Sequence, residues 1–161
     1  MQKTRPCLWF DGRVDEAIGF YTSVFPDAEV LEYSRYPEGT PHPGKPGEVL
    51  MAVIRLAGQE VALLNGGPGF PQSPAFSFMV MCEGQAEVDR YWDALVEGGQ
   101  PQQCGWLADR FGVHWQIVPV GLDRLLGDPD PARAQRAMTE MLSQVKIDIA
   151  AIERAAGQAG G

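Results

Sequence analysis

The feature that most constrains this chain is a pattern that occurs twice. An apolar strand, an amphipathic helix and further strand-like runs appear near the start and again after residue 75. The two helices superpose at an offset of 71 residues: Glu16 falls on Glu87, Ala17 on Val88, Phe20 on Tyr91, Tyr21 on Trp92 and Val24 on Leu95. Repetition of a whole strand-helix-strand order, rather than of one helix, points to two copies of one supersecondary unit.

In the first copy, Cys7-Leu8-Trp9-Phe10 reads as a strand, and Asp11-Gly12 offers a helix start with Asp11 as N-cap. Asp15 and Glu16 lie in the first turn, where the helix dipole favours acids. Val14, Ala17, Ile18, Tyr21 and Phe25 form one helical face, and Phe25-Pro26-Asp27 stops it. Residues 28–36 read as a strand, and the proline-rich stretch 37–46, which holds His42, as a loop or lid. Residues 48–56 and 60–64 form a hairpin turning at Ala57-Gly58-Gln59, followed by the breaker-rich crossing 65–71.

In the second copy, residues 75–82 read as a strand, and Val88, Tyr91, Trp92, Leu95 and Val96 as a helix ended by Gly98-Gly99. Strands over 102–109 and 113–118 turn at Arg110-Phe111-Gly112. The tail differs. Asp130-Pro131 supplies an N-cap and a proline at the first helical position, and Asp148 caps a last helix. These helices must bury their apolar stripes on this domain or on a second subunit. The expected fold is α+β: paired βαβββ modules in one domain over 1–157. Its halves span 4–65 and 75–119, with a helical extension over 121–156 and a frayed tail at 158–161.

Composition narrows the partners. No apolar run approaches the ~20 residues of a membrane span, and the first residues lack a signal-peptide core. Three cysteines without a CxxC spacing argue against structural disulfides and a cysteine-rich zinc site. A cytoplasmic protein is expected. A net charge of −8 argues against nucleic acid, which needs a basic patch.

Several motifs together resemble one family. They are Pro6-Cys7-Leu8-Trp9-Phe10-Asp11-Gly12, Phe20-Tyr21, Phe25-Pro26-Asp27 and Leu64-Asn65-Gly66-Gly67-Pro68 in the first copy. The second copy and tail add Cys104-Gly105-Trp106-Leu107, Asp109-Arg110-Phe111-Gly112, Trp115-Gln116-Ile117-Val118-Pro119, Asp128-Pro129-Asp130 and Lys146-Ile147-Asp148-Ile149-Ala150. The chain resembles the PhnB-like proteins of the vicinal-oxygen-chelate superfamily, a branch that bears the name 3-demethylubiquinone-9 3-methyltransferase. The superfamily includes glyoxalase I, extradiol dioxygenases and bleomycin-resistance proteins. The resemblance implies a cupped mixed sheet around a cavity and a homodimer, without assigning a reaction.

Metal-using members of that superfamily draw ligands from four strand positions, which fall here near Pro6, Val61, Ser77 and Gln116. Proline and valine offer no side-chain donor, and serine and glutamine are weak ligands for transition metals. No metal or other cofactor is expected. Strand alternation turns Ser77, Met79 and Met81 toward the cup, together with His114, Gln116 and Val118, while Phe76, Phe78, Val80, Trp115 and Ile117 pack under the helix.

The expected pocket comprises Leu8, Phe10, Asn65, Ser77, Met79, Met81, Cys104, Trp106, His114 and Gln116, an apolar site with few polar anchors. Cys104 and His114, on adjacent strands, are either a thiolate-imidazole pair or a buried thiol and a strand histidine. Asn65 either contacts a ligand or serves the turn before Gly66-Gly67, and Asp109-Arg110 is either a turn element or a ligand clamp. The expected function is binding of an unidentified small molecule without a metal. A metal-dependent lyase, isomerase or dioxygenase and a drug-sequestering resistance protein are the alternatives. The methyltransferase name is read as a label, because Gly66-Gly67-Pro68-Gly69 precedes no helix and the element order is not that of a doubly wound sheet.

Overall fold

The computed structural model describes residues 3–39 and 44–157. His42, the first two residues and the tail at 158–161 lie outside them. The chain divides into two compact units, Met1–Gln72 and Ser73–Gly161.

The first unit runs β1 (Cys7–Phe10), α1 (Val14–Val24), β2 (Glu29–Arg35), β3 (Val49–Leu56) and β4 (Gln59–Asn65). Its sheet has the order β1-β4-β3-β2, with β1 parallel to β4 and the other pairs antiparallel. The mixed pairing follows from the crossover: α1 carries the chain over one face, so the strands it separates need not form a hairpin. The β3–β4 hairpin turns on Ala57-Gly58, both with positive φ, as a two-residue turn of matching twist requires. Val14, Ala17 and Tyr21 of α1 are buried, as are Leu8 and Phe10 of β1 and Val61 and Leu63 of β4.

The helix start differs from the expected one. Asp11 does not cap α1. Arg13 stands at the N-cap in left-handed backbone (φ 57°), with no side-chain cap, and its guanidinium pairs with Glu16. Gly12 is also left-handed, and its N–H donates to Asn65 Oδ1 at 3.0 Å. The turn before α1 is thus held from β4 rather than by a local cap.

The second unit repeats the order: β5 (Phe78–Cys82), α2 (Gln85–Val96), β6 (Gln100–Pro101), β7 (Trp106–Ala108) and β8 (His114–Pro119). Its sheet order is β5-β8-β7-β6, again with one parallel pair, β5 with β8. Of the strand expected over 102–109 only β7 forms, and β6 precedes that range. The break lies at Cys104-Gly105, whose φ values of 60° and 78° are left-handed. Their N–H groups donate out of the sheet, to the carbonyls of Gln144 and Val145. Asp109 holds the next turn: its carboxylate accepts from the N–H groups of Phe111 and Val113 and from Trp115 Nε1 at 2.9 Å.

The tail packs on the second unit. Within the expected helical extension, a short helix, α3 (Leu122–Leu126), precedes α4 (Pro131–Ser143) and α5 (Ile149–Gly157). Asp130 caps α4 by accepting from Ala132 N–H, and Asp148 accepts from Ala151 N–H at the start of α5. Leu122, Ala137, Ile147, Ile152 and Ala156 form a buried cluster. Gln85 of α2 fastens it, donating to the Ile147 carbonyl and accepting from Ile149 N–H. The Lys146 ammonium, followed by the Gln85 amide, holds the Asp89 carboxyl below its ordinary range.

A Cβ on Gly105 would stand 2.8 Å from the Ile117 carbonyl oxygen and 2.9 Å from Ile147 Cγ1, in left-handed backbone. Gly105→Ala is therefore expected to lower stability by roughly 2–4 kcal/mol, the sum of backbone strain and overpacking. Urea unfolding followed by tryptophan fluorescence measures it, with a lowered midpoint as the expected result.

Candidate ligand-binding face

Each sheet has one face under its helix and one face turned away from it. In the second unit, Cys82, Trp115, Ile117 and Leu107 are fully buried on the α2 side. The register places the remaining side chains on the other face. Met79 pairs with Gln116, which pairs with Trp106; Met81 pairs with Val118; His114 pairs with Ala108. Ser77 lies one residue before β5, and its Oγ accepts from Gln116 Nε2 at 2.9 Å. Ser77, Met79, Met81, Trp106, His114 and Gln116 therefore share this open face.

Two properties mark the face. Met79 and Met81 are 55% and 52% exposed, unusual for large apolar side chains. His114 is 8% exposed, and its Nδ1 has no hydrogen-bond partner among the described residues. Buried polar atoms are almost always paired, because an unmet one costs about 1–3 kcal/mol. A neutral amide, a hydroxyl, an indole, two thioethers and an imidazole can hold a small molecule by contact area and a few hydrogen bonds.

The other expected residues lie elsewhere. Cys104 precedes β7 at the end where Gly105 accepts from Ile117 N–H, whereas His114 pairs with Ala108 at the opposite end. Along β8, Ile117 and His114 are three residues apart, roughly 10 Å at ~3.3 Å each. The geometry therefore does not form a thiolate-imidazole pair.

Leu8 and Phe10 sit on the α1 side of β1, beside Leu63 and Asn65. The expected pocket grouped them with Met79 and Met81. The helix starts keep a 71-residue offset, but β1 matches β5 at 72, as from Phe10 to Cys82, because three residues join β1 to α1 and only two join β5 to α2. One residue reverses the face of every side chain on a strand. Asn65 is buried, its Oδ1 taken by Gly12 N–H and its carbonyl by the Tyr36 hydroxyl.

Two of the positions at which the resemblance implies metal ligands, Pro6 and Val61, carry no side-chain donor. Val61 is buried on the α1 side, and the Pro6 carbonyl accepts from Ala62 N–H. The open-face neighbours in the first unit are instead Arg5 and Glu60, an ion pair at 3.1 Å. Alternation places both in phase with the open-face residues Cys7 and Ala62. A guanidinium engages the one carboxylate a metal would use there, and Gln116 and Ser77 are engaged with each other. No three His, Cys, Asp or Glu side chains cluster as a metal site among the described residues. These residues do not fit the superfamily's metal.

The upper part of the first unit's open face is closed by its own loop. Trp9 Nε1 donates to the Gly67 carbonyl at 2.7 Å, and Phe70 meets the Trp9 ring edge to face. A Cβ on Gly66 would stand 2.2 Å from that ring.

Two mixed sheets, each crossed by one helix, define a protein of the glyoxalase or vicinal-oxygen-chelate type. Residues 2–118 match the 3-demethylubiquinone-9 3-methyltransferase family, and the chain belongs to it. A PhnB protein of Bacillus cereus that bears the same methyltransferase name is 35% identical; the match covers 74% of this chain and all of that one, with a TM-score of 0.68. A Pseudomonas aeruginosa protein is 22% identical over 74% of this chain and 98% of its own, with a TM-score of 0.61. The fosfomycin resistance protein FosX of Listeria monocytogenes shares the fold at 13% identity, over 76% of this chain and 94% of its own, with a TM-score of 0.57. No curated protein matches the sequence.

Cys82 is fully buried at the end of β5, and that burial, with Glu87 nearby, pushes its thiol up to about 11. At pH 8 about one Cys82 in a thousand is then a thiolate, the reactive form. Iodoacetamide is expected to leave Cys82 unlabelled in the folded protein and to alkylate it in urea, as peptide mass spectrometry would show.

Proposed function

We propose that this protein binds a small organic molecule on the open face of its second sheet without a resident metal. The observation that carries the reading is His114: a buried imidazole with an unmet Nδ1, on the face where Met79 and Met81 stand exposed. Nδ1 is covered as the side chain stands, so a ligand oxygen or nitrogen would meet it on a turn of the imidazole, while the thioethers and Trp106 supply contact area. The Ser77–Gln116 hydrogen bond orients both groups and supports binding over metal chemistry.

The methyltransferase name is not part of this reading. Glycines that cradle a nucleotide cofactor lie between a parallel strand and a helix start. Here Gly66 lies against Trp9, and the loop after β4 leads to β5.

Native mass spectrometry of the protein as purified is expected to show a bound organic mass that His114→Ala loses. Incubation with manganese, nickel or zinc, followed by desalting and elemental analysis, is expected to leave far less than one ion per chain. Retention of one stoichiometric ion would overturn the reading.

We further propose a homodimer acting in the cytoplasm. Three free cysteines suit a reducing compartment. Met138 and Leu142 on α4 and Val145 after it are exposed at helical spacing and suit burial against a second copy. Sedimentation at micromolar concentration is expected to give the dimer mass, and a monomer would count against it.

A further inference from the structure

The first unit carries a charged cleft at the start of β1, away from the loop that closes over Trp9. Lys3, Thr4, Arg5, Pro6 and Gln59 line it. Its position is fixed by backbone: the Pro6 carbonyl accepts from Ala62 N–H at 2.9 Å and extends the β1–β4 ladder past Cys7. Arg5 is correspondingly well held. Its side chain is 28% exposed, and Nη2 stands 3.1 Å from Glu60 Oε2.

The charges here do not cancel. Glu60 faces two guanidinium groups, Arg5 at 3.1 Å and Arg55 at 3.9 Å, and Arg55 also pairs with Glu29 at 2.7 Å. Glu60 is the one polar partner of Arg5 among the described residues, so most of the five guanidinium N–H donors stay available. Lys3 has no ion-pair partner among the described residues. One carboxylate thus orients Arg5 without saturating it, and Lys3 adds an unopposed positive charge at the same cleft. On a chain of net charge −8, most of the surface repels anions.

We propose that this cleft is an oxyanion site, taking the phosphate or carboxylate group of a small molecule between Arg5 and Lys3. The planar fork of Arg5 would meet two anion oxygens, and the ammonium of Lys3 a third. Glu60 is then a positioning residue whose charge opposes the anion while its ion pair aims the guanidinium. This site lies wholly within the first unit and does not depend on the reading of the second sheet.

The test follows the Nε–H resonance of Arg5 in nitrogen-15-labelled full-length protein. Inorganic phosphate and, separately, acetate are titrated at constant ionic strength against chloride. At least one is expected to give a saturating shift. Lys3→Gln, an exposed change that leaves the fold intact, is expected to weaken binding by roughly tenfold, the loss of one charged contact. Glu60→Gln keeps the side-chain shape and removes the opposing charge, and should tighten binding by a similar factor. His114→Ala should leave the titration unchanged, which separates this site from the second-sheet face. Linear, unsaturated shifts with both anions would overturn the proposal, as would a Lys3→Gln curve that coincides with the unaltered protein's. So would weaker binding by Glu60→Gln in a folded variant.

Discussion

Each half of this protein depends on one helix covering one face of a four-stranded sheet. That single constraint sorts every strand residue, because alternate side chains enter opposite faces. On the α1 side it gathers Leu8, Phe10, Val61 and Leu63 with Ala17 and Tyr21; on the α2 side it gathers Cys82, Trp115 and Ile117 with Val88, Trp92 and Leu95. What remains on the other face is released from packing. There the first unit places Arg5 and Glu60, and the second places Met79, Met81, Gln116 and His114. The face left open by the helix is where chemistry can differ between two halves of one architecture.

The sequence made the architecture legible because that constraint leaves a periodic trace. Helical spacing in Val88, Tyr91, Trp92 and Leu95, and the strand-helix-strand order around it, identify each half. The face of β5 was equally readable: Met79 and Met81 alternate with Phe78, Val80 and Cys82 over five residues. The α4 cap, Asp130 before Pro131, was also visible, since capping is chemistry within a few residues.

What could not be read depended on distant contacts. The phase of β1 hangs on a turn in which Gly12 and Arg13 are both left-handed, stabilised by Asn65, which is 53 residues from Gly12. Nothing local announces that hydrogen bond, so Asp11 looked like the cap. The break between β6 and β7 has the same origin. Cys104 and Gly105 leave the ladder to meet Gln144 and Val145 of the tail, a pairing invisible to strand propensity. The break also moves the level of Cys104 away from His114.

The divergence of the two open faces follows from how each half satisfies its polar groups. In the first, Glu60 is paired with a guanidinium, and Trp9 is roofed by Gly67 and Phe70, so little on that face is left unmet apart from the surplus of positive charge. In the second, Gln116 and Ser77 satisfy one another, and the Nδ1 of His114 is left over. A buried unmet atom is costly, so it survives where something outside the chain repays it or where it is tolerated as strain. The exposed thioethers on the same face favour the first explanation. Strain alone would account for an isolated imidazole, but not for more than half of two methionine side chains standing in water on the same face.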